Sequence, residues 1–501
     1  MWPSLELRSR AYNTLQRVFG FSSFRLGQED TISSIISGSH TLLVAPTGLG
    51  KSLTYFLPSL LLPGVTFIIS PLVALIQDQS KKLDAFKIPH GIIAPSLNAE
   101  RTTLTYNTLL NMSSSNIKVV LITPESITGK RGIALLNHLN SFHRLSFFAL
   151  DESHLVNDWA DFRKSYAQLK ILVSNFPHIP FLCTTATASK SQQFQILDSL
   201  GISRNLVKVL TLNSDRPEIF YSVIFKELLD DPLLHLEITI ESLCSISHGR
   251  GIVFVHKRTT AESLAAFLSS KISNKYIGHY HGGLSANERL EVQQQFLSQQ
   301  GVLVATVSFG LGIDVDVNFV IHYDAAQTLS QLIQESGRCA RDKSRGNHVV
   351  YYDRSTIMKY REIFVQNIKP GDEENLRLML EELENVHNYC TSPSCKRKFM
   401  LNFFNCKPLQ ETYQHGCCIY CKDKNNYLQQ LEQLETTQIS NNNEKIPKVD
   451  EVPPIRKESS SGFVSASSLS KIKKRSYHEV KLEIESRKRT SQGYSTNKLK
   501  K

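Results

Sequence analysis

The chain has 501 residues, 41% hydrophobic and 21% charged, an ordinary globular balance at a length too great for one core, so two or three domains are expected. The formal net charge is +11, but residues 451–501 hold 13 Lys and Arg against five Asp and Glu; a uniformly basic body is excluded, and the tail alone points to a polyanion or a nuclear import receptor. Glu6, Arg8 and Arg10 interrupt the first residues, so no secretory leader is expected, and Pro58, Pro63, Gly64 and Pro71 punctuate the uncharged run Tyr55–Ile76, which argues against a membrane span.

In chain order, short apolar runs alternate with helical stretches. Strands are predicted at 42–45, 66–70, 119–123, 147–150 and 181–184, then at 252–255, 275–280, 302–305, 319–322 and 349–352. Continuous apolar strands separated by helices imply an α/β fold with parallel sheets covered on both faces. Function then belongs at the carboxyl ends of the strands, where the polar motifs lie. A lobe boundary is expected near residues 213–217. From about 366 the pattern turns helical, and then cysteine-rich to Cys421. Leu428 to Leu434 can finish a helix, and from about 436 the chain is rich in Ser, Asn, Lys and Glu, a composition expected to be disordered.

The first motif is Ala45-Pro46-Thr47-Gly48-Leu49-Gly50-Lys51-Ser52, between a predicted strand and a predicted helix. Gly48 and Gly50 let the backbone curl until its N–H groups converge on phosphates. The helix N-terminus adds its positive dipole end. Lys51 supplies a point charge to the β/γ-phosphates of ATP, and Ser52 a hydroxyl to Mg²⁺. The second motif, Leu150-Asp151-Glu152-Ser153-His154, closes another apolar strand. Asp151 is the expected second magnesium ligand, and Glu152 the group that orients and deprotonates the attacking water. His154 is expected to relay the nucleotide state to neighbouring loops.

These motifs and those that follow resemble the RecQ-type DNA helicases of the DExH group in superfamily 2, over about residues 12–425. Phe24-Arg25-Leu26-Gly27-Gln28 resembles the family's adenine-selecting segment, with Gln28 as the adenine partner. Ser70-Pro71 through Gln79 resembles a segment on the DNA backbone. Thr184-Thr185-Ala186-Thr187-Ala188 resembles the motif linking hydrolysis to lobe closure. In the second half, His281-Gly282-Gly283-Leu284, the run from Ala305 through Gly312 and Asp314, and Gln334 to Asp342 match further motifs. The resemblance implies two RecA-like lobes, 1–213 and 214–365. It also implies a small helical zinc-binding domain, 366–430, ahead of a disordered basic tail, 431–501. The implied activity is ATP-dependent 3′→5′ DNA helicase action in repair and recombination, by a monomer on single-stranded and forked DNA with DNA repair proteins as partners. Gly312 and Asp314 are then cofactor-binding positions. Trp159, Phe162 and Arg163 form the loop that senses single-stranded DNA, where aromatic faces stack bases. An RNA-acting DExH helicase, a translocase or annealing factor, and a non-catalytic DNA-binding protein are the competing readings.

Arg338 and Arg341 are three residues apart, so on a helix they share a face. Either can serve as the arginine finger, Arg341 being the first choice. Six of the nine cysteines lie between Cys390 and Cys421, which in a chain where no leader is expected favours a metal over disulfides. The resemblance makes Cys395, Cys418 and Cys421 zinc ligands, with His415 or Cys417 as the remaining one and Cys390 and Cys406 as spares. Tetrahedral zinc accepts Cys₄ or Cys₃His. The sequence departs from the family after Trp159, where Ala160-Asp161-Phe162-Arg163 is one residue short. The 80 residues after Cys421 are too few for the family's winged-helix domain, so weak strand separation is expected. Lys471-Ile472-Lys473-Lys474-Arg475 and Arg487-Lys488-Arg489 suggest nuclear import or a DNA-tethering arm.

Overall fold

The structure is a computed structural model. It describes residues 2–440 apart from 47, 71–72, 112–115, 156–165, 167, 248, 311–314, 341–344, 369–372 and 408–415. Thr47, Trp159, Phe162, Arg163, Gly312, Asp314, Arg341 and His415, all named above, therefore lie outside the described residues, as does the tail from 441.

The described strands are β1 (His40–Val44), β2 (Val65–Ile69), β3 (His90–Ile93), β4 (Val119–Ile122), β5 (Leu145–Leu150), β6 (Phe181–Thr185), β7 (Val207–Thr211), β8 (Ile219–Phe225), β9 (Gly251–Phe254), β10 (Tyr276–Tyr280), β11 (Gly301–Ala305), β12 (Phe319–His322) and β13 (Gly346–Tyr352). They form a seven-stranded sheet in the order β3-β4-β2-β5-β6-β1-β7 and a six-stranded sheet in the order β10-β11-β9-β12-β13-β8. The pairings run parallel, as between β1 and β6 and between β9 and β12. Two RecA-like α/β lobes are thus present.

Burial follows from the sequence. Every residue of β2, β4 and β11 is buried, as runs such as Val-Thr-Phe-Ile-Ile require when helices cover both faces. Alternate residues go to opposite cores of the first lobe. Leu42, Val44, Phe67 and Ile69 pack into one, and Leu43, Ile68 and Phe147 into the other, the period-two consequence of strand geometry. Val253, Val302, Val304, Phe319 and Tyr351 build the matching core of the second lobe. The run Tyr55–Ile76 resolves into the end of the Leu53–Leu61 helix, β2 and the start of the Val73–Ala85 helix. Among the described residues no helix is long and apolar enough to cross a membrane.

The sequence reading lacked β3, β7 and β8. β3 has four residues, β7 is a half-exposed edge, and β8 alternates buried and half-buried positions; none is a continuous apolar run. Two expected boundaries also shift. The helix Arg354–Asn367, capped by Asp353, crosses the limit placed at 365. The helix Lys424–Ser440 runs ten residues past the limit at 430, held by the buried side chains of Tyr427 and Leu434.

Candidate ATP cleft and cysteine cluster

The phosphate loop leaves the end of β1. Ala45 stays in register by donating its N–H to the Thr185 carbonyl of β6 at 2.9 Å. Gly48 and Gly50 adopt φ of 85° and 83°, which a side chain would strain. A Cβ on Gly50 would also stand 2.8 Å from Gln28 Nε2. That amide holds the loop, donating to the Leu49 and Gly50 carbonyls at 3.0 and 3.1 Å while Gln28 Oε1 accepts from Arg25 N at 2.8 Å. The Arg25 guanidinium adds a 2.6 Å bond to the Gly48 carbonyl. Both residues expected at the nucleotide thus support the loop from outside, with the Gln28 amide committed at both ends. Lys51 Nζ donates to the Ala45 carbonyl at 3.2 Å, folded back over the loop it belongs to.

Ser52 opens the Leu53–Leu61 helix, and one turn on Tyr55 donates toward Ser52 Oγ and Asp151 Oδ2, each at 3.1 Å. Gln79 Nε2, from the Val73–Ala85 helix, reaches the same two oxygens at 3.3 Å and the Tyr55 hydroxyl at 2.9 Å. Sequence reasoning missed Tyr55 and Gln79 as site residues. No local signal marked Tyr55, since Thr54 and Ser59 already interrupt the apolar run of its helix. Asp151 Oδ1 accepts from Thr184 Oγ1 at 2.8 Å and from Glu152 N at 3.1 Å. Burial, then the Glu152 charge, pushes the Asp151 carboxyl above its usual range. A buried carboxylate beside a serine hydroxyl suits a hard divalent cation, so Ser52 and Asp151 fit magnesium.

Glu152 follows β5 with φ at 49°, a left-handed conformation uncommon for a non-glycine residue and found at functional sites. Its Oε2 is buried without a hydrogen-bond partner and lies 3.4 Å from His154 Nδ1. His154 Nδ1 is also 3.0 Å from Thr185 Oγ1. That hydroxyl's one hydrogen goes to the Thr187 carbonyl at 3.0 Å, so the proton between His154 and Thr185 belongs to the imidazole. Thr184 and Thr185 therefore split the duty of their motif, one holding Asp151 and the other His154.

The second lobe contributes Arg338. The helix Leu329–Ser336 ends before it. Val317 N instead bonds the Arg338 carbonyl at 3.1 Å, and Ala340 N bonds the Val317 carbonyl at 3.0 Å. The bridge adds to a short turn in which Arg338 N bonds the Glu335 carbonyl at 3.2 Å and Cys339 N the Ser336 carbonyl at 2.9 Å, so Arg338 lies past the helix end. Arg338 is 4% exposed. Burial lowers its proton affinity, while Glu335 and then Glu152 of the other lobe raise it.

The cysteines gather on the last helices. Cys395, Cys417, Cys418 and Cys421 place their sulfurs within 4.8 Å of one another. Individual separations are 3.4 Å for Cys395–Cys417, 3.7 Å for Cys417–Cys421 and 3.9 Å for Cys395–Cys418. Sulfurs at tetrahedral corners about 2.3 Å from zinc lie about 3.8 Å apart, so this donor set fits zinc. Cys417, the alternative to His415, supplies the fourth sulfur. Cys390 and Cys406 stand outside the set: burial pushes the Cys390 thiol up to about 12, and Cys406 faces Ser214 Oγ at 3.4 Å.

Comparison with known proteins adds the following. Residues 25–194 match the model for DEAD/DEAH box helicases, and residues 234–343 the helicase conserved C-terminal domain. The chain is 32% identical over 431 residues to the ATP-dependent DNA helicase RecQ of Pasteurella multocida, covering 84% of this chain and 63% of that one. It is 34% identical over 426 residues to the ATP-dependent DNA helicase Q5 of Rattus norvegicus, covering 82% and 43%. It thus spans less than two thirds of the length of these relatives. The solved structure of Mycobacterium smegmatis helicase Lhr bound to ssDNA and AMP-PNP superposes with a TM-score of 0.53 at 19% identity, over 76% of this chain and 50% of that one. At that identity the likeness speaks for the fold.

Proposed function

The chain belongs to the RecQ family of ATP-dependent DNA helicases, and on that premise we propose that it hydrolyses ATP between its two lobes to move 3′→5′ along single-stranded DNA and open duplexes. The observation that supports this reading is a cleft lined by Pro46 and Thr187 of the first lobe and by Ser336 and Gly337 of the second, beside the loop of Lys51 and the turn of Arg338. Asp151 feels Lys51, and Arg338 feels Glu152.

The residues divide the work by chemistry. Backbone N–H groups around Gly48 and Gly50 bind the phosphates, and Lys51 adds its charge there. Ser52 and Asp151 would hold magnesium, which when bound would supply positive charge at the phosphates. Glu152, in its left-handed backbone conformation, orients water and takes its proton. His154 shares its Nδ1 proton with Thr185, so a change at Glu152 is felt at the Thr184–Thr187 motif. Arg338 stabilises the charge that develops on the transferred phosphoryl group, a contribution of roughly 10³–10⁵-fold where such an arginine is supplied from across a cleft. Because Arg338 comes from the second lobe, hydrolysis depends on how the lobes meet, as stepping along a strand requires. We assign zinc to the four cysteines as a structural ion, and nuclear import to the basic clusters of the tail.

Lys51→Ala tests the reading. Loss of ATP turnover stimulated by single-stranded DNA is expected, and full turnover in the variant overturns the assignment. Forked duplexes with 3′ or 5′ tails report polarity. Equal stimulation by single-stranded RNA would move the chain to the RNA-acting class.

A further inference from the structure

Four consecutive residues on the path from β7 to β8 are each tied to a neighbour. Asn213 Nδ2 donates to the Lys407 carbonyl at 2.5 Å, and Ser214 Oγ lies 3.4 Å from Cys406 Sγ. Asp215 Oδ1 accepts from Arg397 Nε at 2.6 Å, and Nη2 stands at the same distance as an ion-pair contact. The side chains of this pair are 0% and 3% exposed. These three ties all lead to the element that carries the cysteines. Arg397 is the second residue of the Lys396–Phe403 helix, whose N-cap is Cys395 itself, its sulfur accepting from Lys398 N at 3.5 Å.

Arg216 points the other way. Its guanidinium donates to the Gly337 carbonyl at 3.3 Å and to the Cys339 and Ala340 carbonyls at 2.6 and 3.0 Å, with Nε on the Glu218 carboxylate. These carbonyls belong to the turn that carries Arg338, and Ala340 in it holds φ at 53°. A planar fork with five donors can bridge several carbonyls at once, which a lysine ammonium cannot do. Arg216 also lines a cleft with Pro46, Thr187, Ser336 and Gly337, beside the phosphate loop.

We propose that Arg216 is a positioning residue for Arg338, and that the Asp215–Arg397 pair ties this clamp to the cysteine cluster, so that metal loading of the cluster sets the placement of the cleft arginine. The assignment deepens the reading of Arg338 as the charge-stabilising group and rests on it. Loss of metal frees Cys395, the start of its helix and so Arg397. Asp215 follows, and the next residue is the clamp. The cysteine cluster then governs turnover from outside the nucleotide site.

The test is hydrogen exchange and steady-state ATP turnover on the full chain, for wild type, Arg216→Lys, Asp215→Asn and wild type stripped by a zinc chelator. Expected is at least about tenfold faster exchange at the Cys339 and Ala340 amides in all three altered samples. Turnover is expected to fall about tenfold or more, with KM for ATP within twofold, because a misplaced group lowers the rate more than substrate binding. The conservative Arg216→Lys keeps the charge and the melting temperature, which separates positioning from general destabilisation. Unchanged protection at 339–340 in Arg216→Lys overturns the clamp. Faster exchange confined to the cysteine helices after chelation overturns the tie to the metal. Faster exchange at 339–340 with an unmoved kcat overturns the positioning role. Exchange needs no turnover, so a wild type without ATPase activity would defeat the proposed function while leaving the clamp to be decided by exchange.

Discussion

Tyr55 donates its phenolic hydrogen to Asp151 across 3.1 Å, joining the helix after the phosphate loop to the end of β5. Burial and the Asp151 charge hold the phenol well above its usual proton affinity, so it stays a donor. It is the link that aligns Ser52 Oγ with Asp151 Oδ2. Tyr55→Phe removes one hydrogen bond to a charged group, about 1.5–3 kcal/mol. The magnesium concentration for half-maximal ATP turnover is expected to rise roughly tenfold, with kcat at saturating magnesium within threefold. A magnesium titration of steady-state turnover checks this, and an unmoved midpoint removes Tyr55 from the site.

Glu152 presents a different kind of test. Its backbone strain is independent of whether the side chain ends in a carboxylate or an amide, so Glu152→Gln keeps the fold. It loses the proton acceptor. Turnover is expected to drop by about 10²–10⁴-fold, the range of a general base, while nucleotide binding persists. Single-turnover hydrolysis beside equilibrium ATP binding measures both; a drop below about fivefold gives the base role to another group.

What the sequence revealed depended on how local the signal was. The fully buried strands were legible because β2 or β11 cannot be mistaken for a solvated face, and the phosphate loop because Gly48, Gly50 and Lys51 are adjacent. Tyr55 and Gln79 were not legible. Their role arises from Ser52, Tyr55 and Gln79 meeting Asp151 across 72 to 99 positions of chain, and neither breaks the pattern of its own helix. The Arg338 turn was not legible for a related reason. Three-residue spacing suggests a helix face, but the bridge of Cys339 to Val317 is a long-range pairing that local spacing does not encode. Arg216 was unremarkable in the linker, and only its partners at 337–340 give it a role.

The cysteine cluster separates two ligand sets. With Cys417 as a ligand, Cys417→Ser is expected to reduce bound zinc well below one equivalent and to lower the melting temperature. His415→Ala and Cys406→Ser are expected to retain one equivalent. Zinc content of the purified variants by elemental analysis decides between them. Full zinc in Cys417→Ser together with loss in His415→Ala reverses the assignment. Complete removal of the ion forfeits about 10–16 kcal/mol by analogy with zinc peptides, so the helices from Lys396 onward are expected to loosen first.

Stability should fall on mild acidification, and two histidines, one buried and one half-buried, set the window. His348 is fully buried, with Nε2 2.9 Å from His322 Nδ1, and His322 Nε2 in turn 2.6 Å from Glu335 Oε2. Burial, then the His322 charge, holds His348 well below its usual proton affinity. His387 accepts from the Tyr352 hydroxyl at 2.6 Å, and burial followed by the Arg354 charge lowers it to about 4. Both are depressed in the folded chain, so the unfolded chain binds more protons below about pH 6.5. Stability is therefore complete above that pH and declines between about 6.5 and 4, by up to about 1.4 kcal/mol per pH unit for each histidine. His387→Gln keeps an acceptor for Tyr352 and removes one titration, so its melting temperature is expected to fall less steeply over this range than that of wild type. Melting curves from pH 7.5 to 4.5 measure the two slopes. Parallel slopes would mean that His387 takes its proton in the folded chain as readily as in the unfolded one.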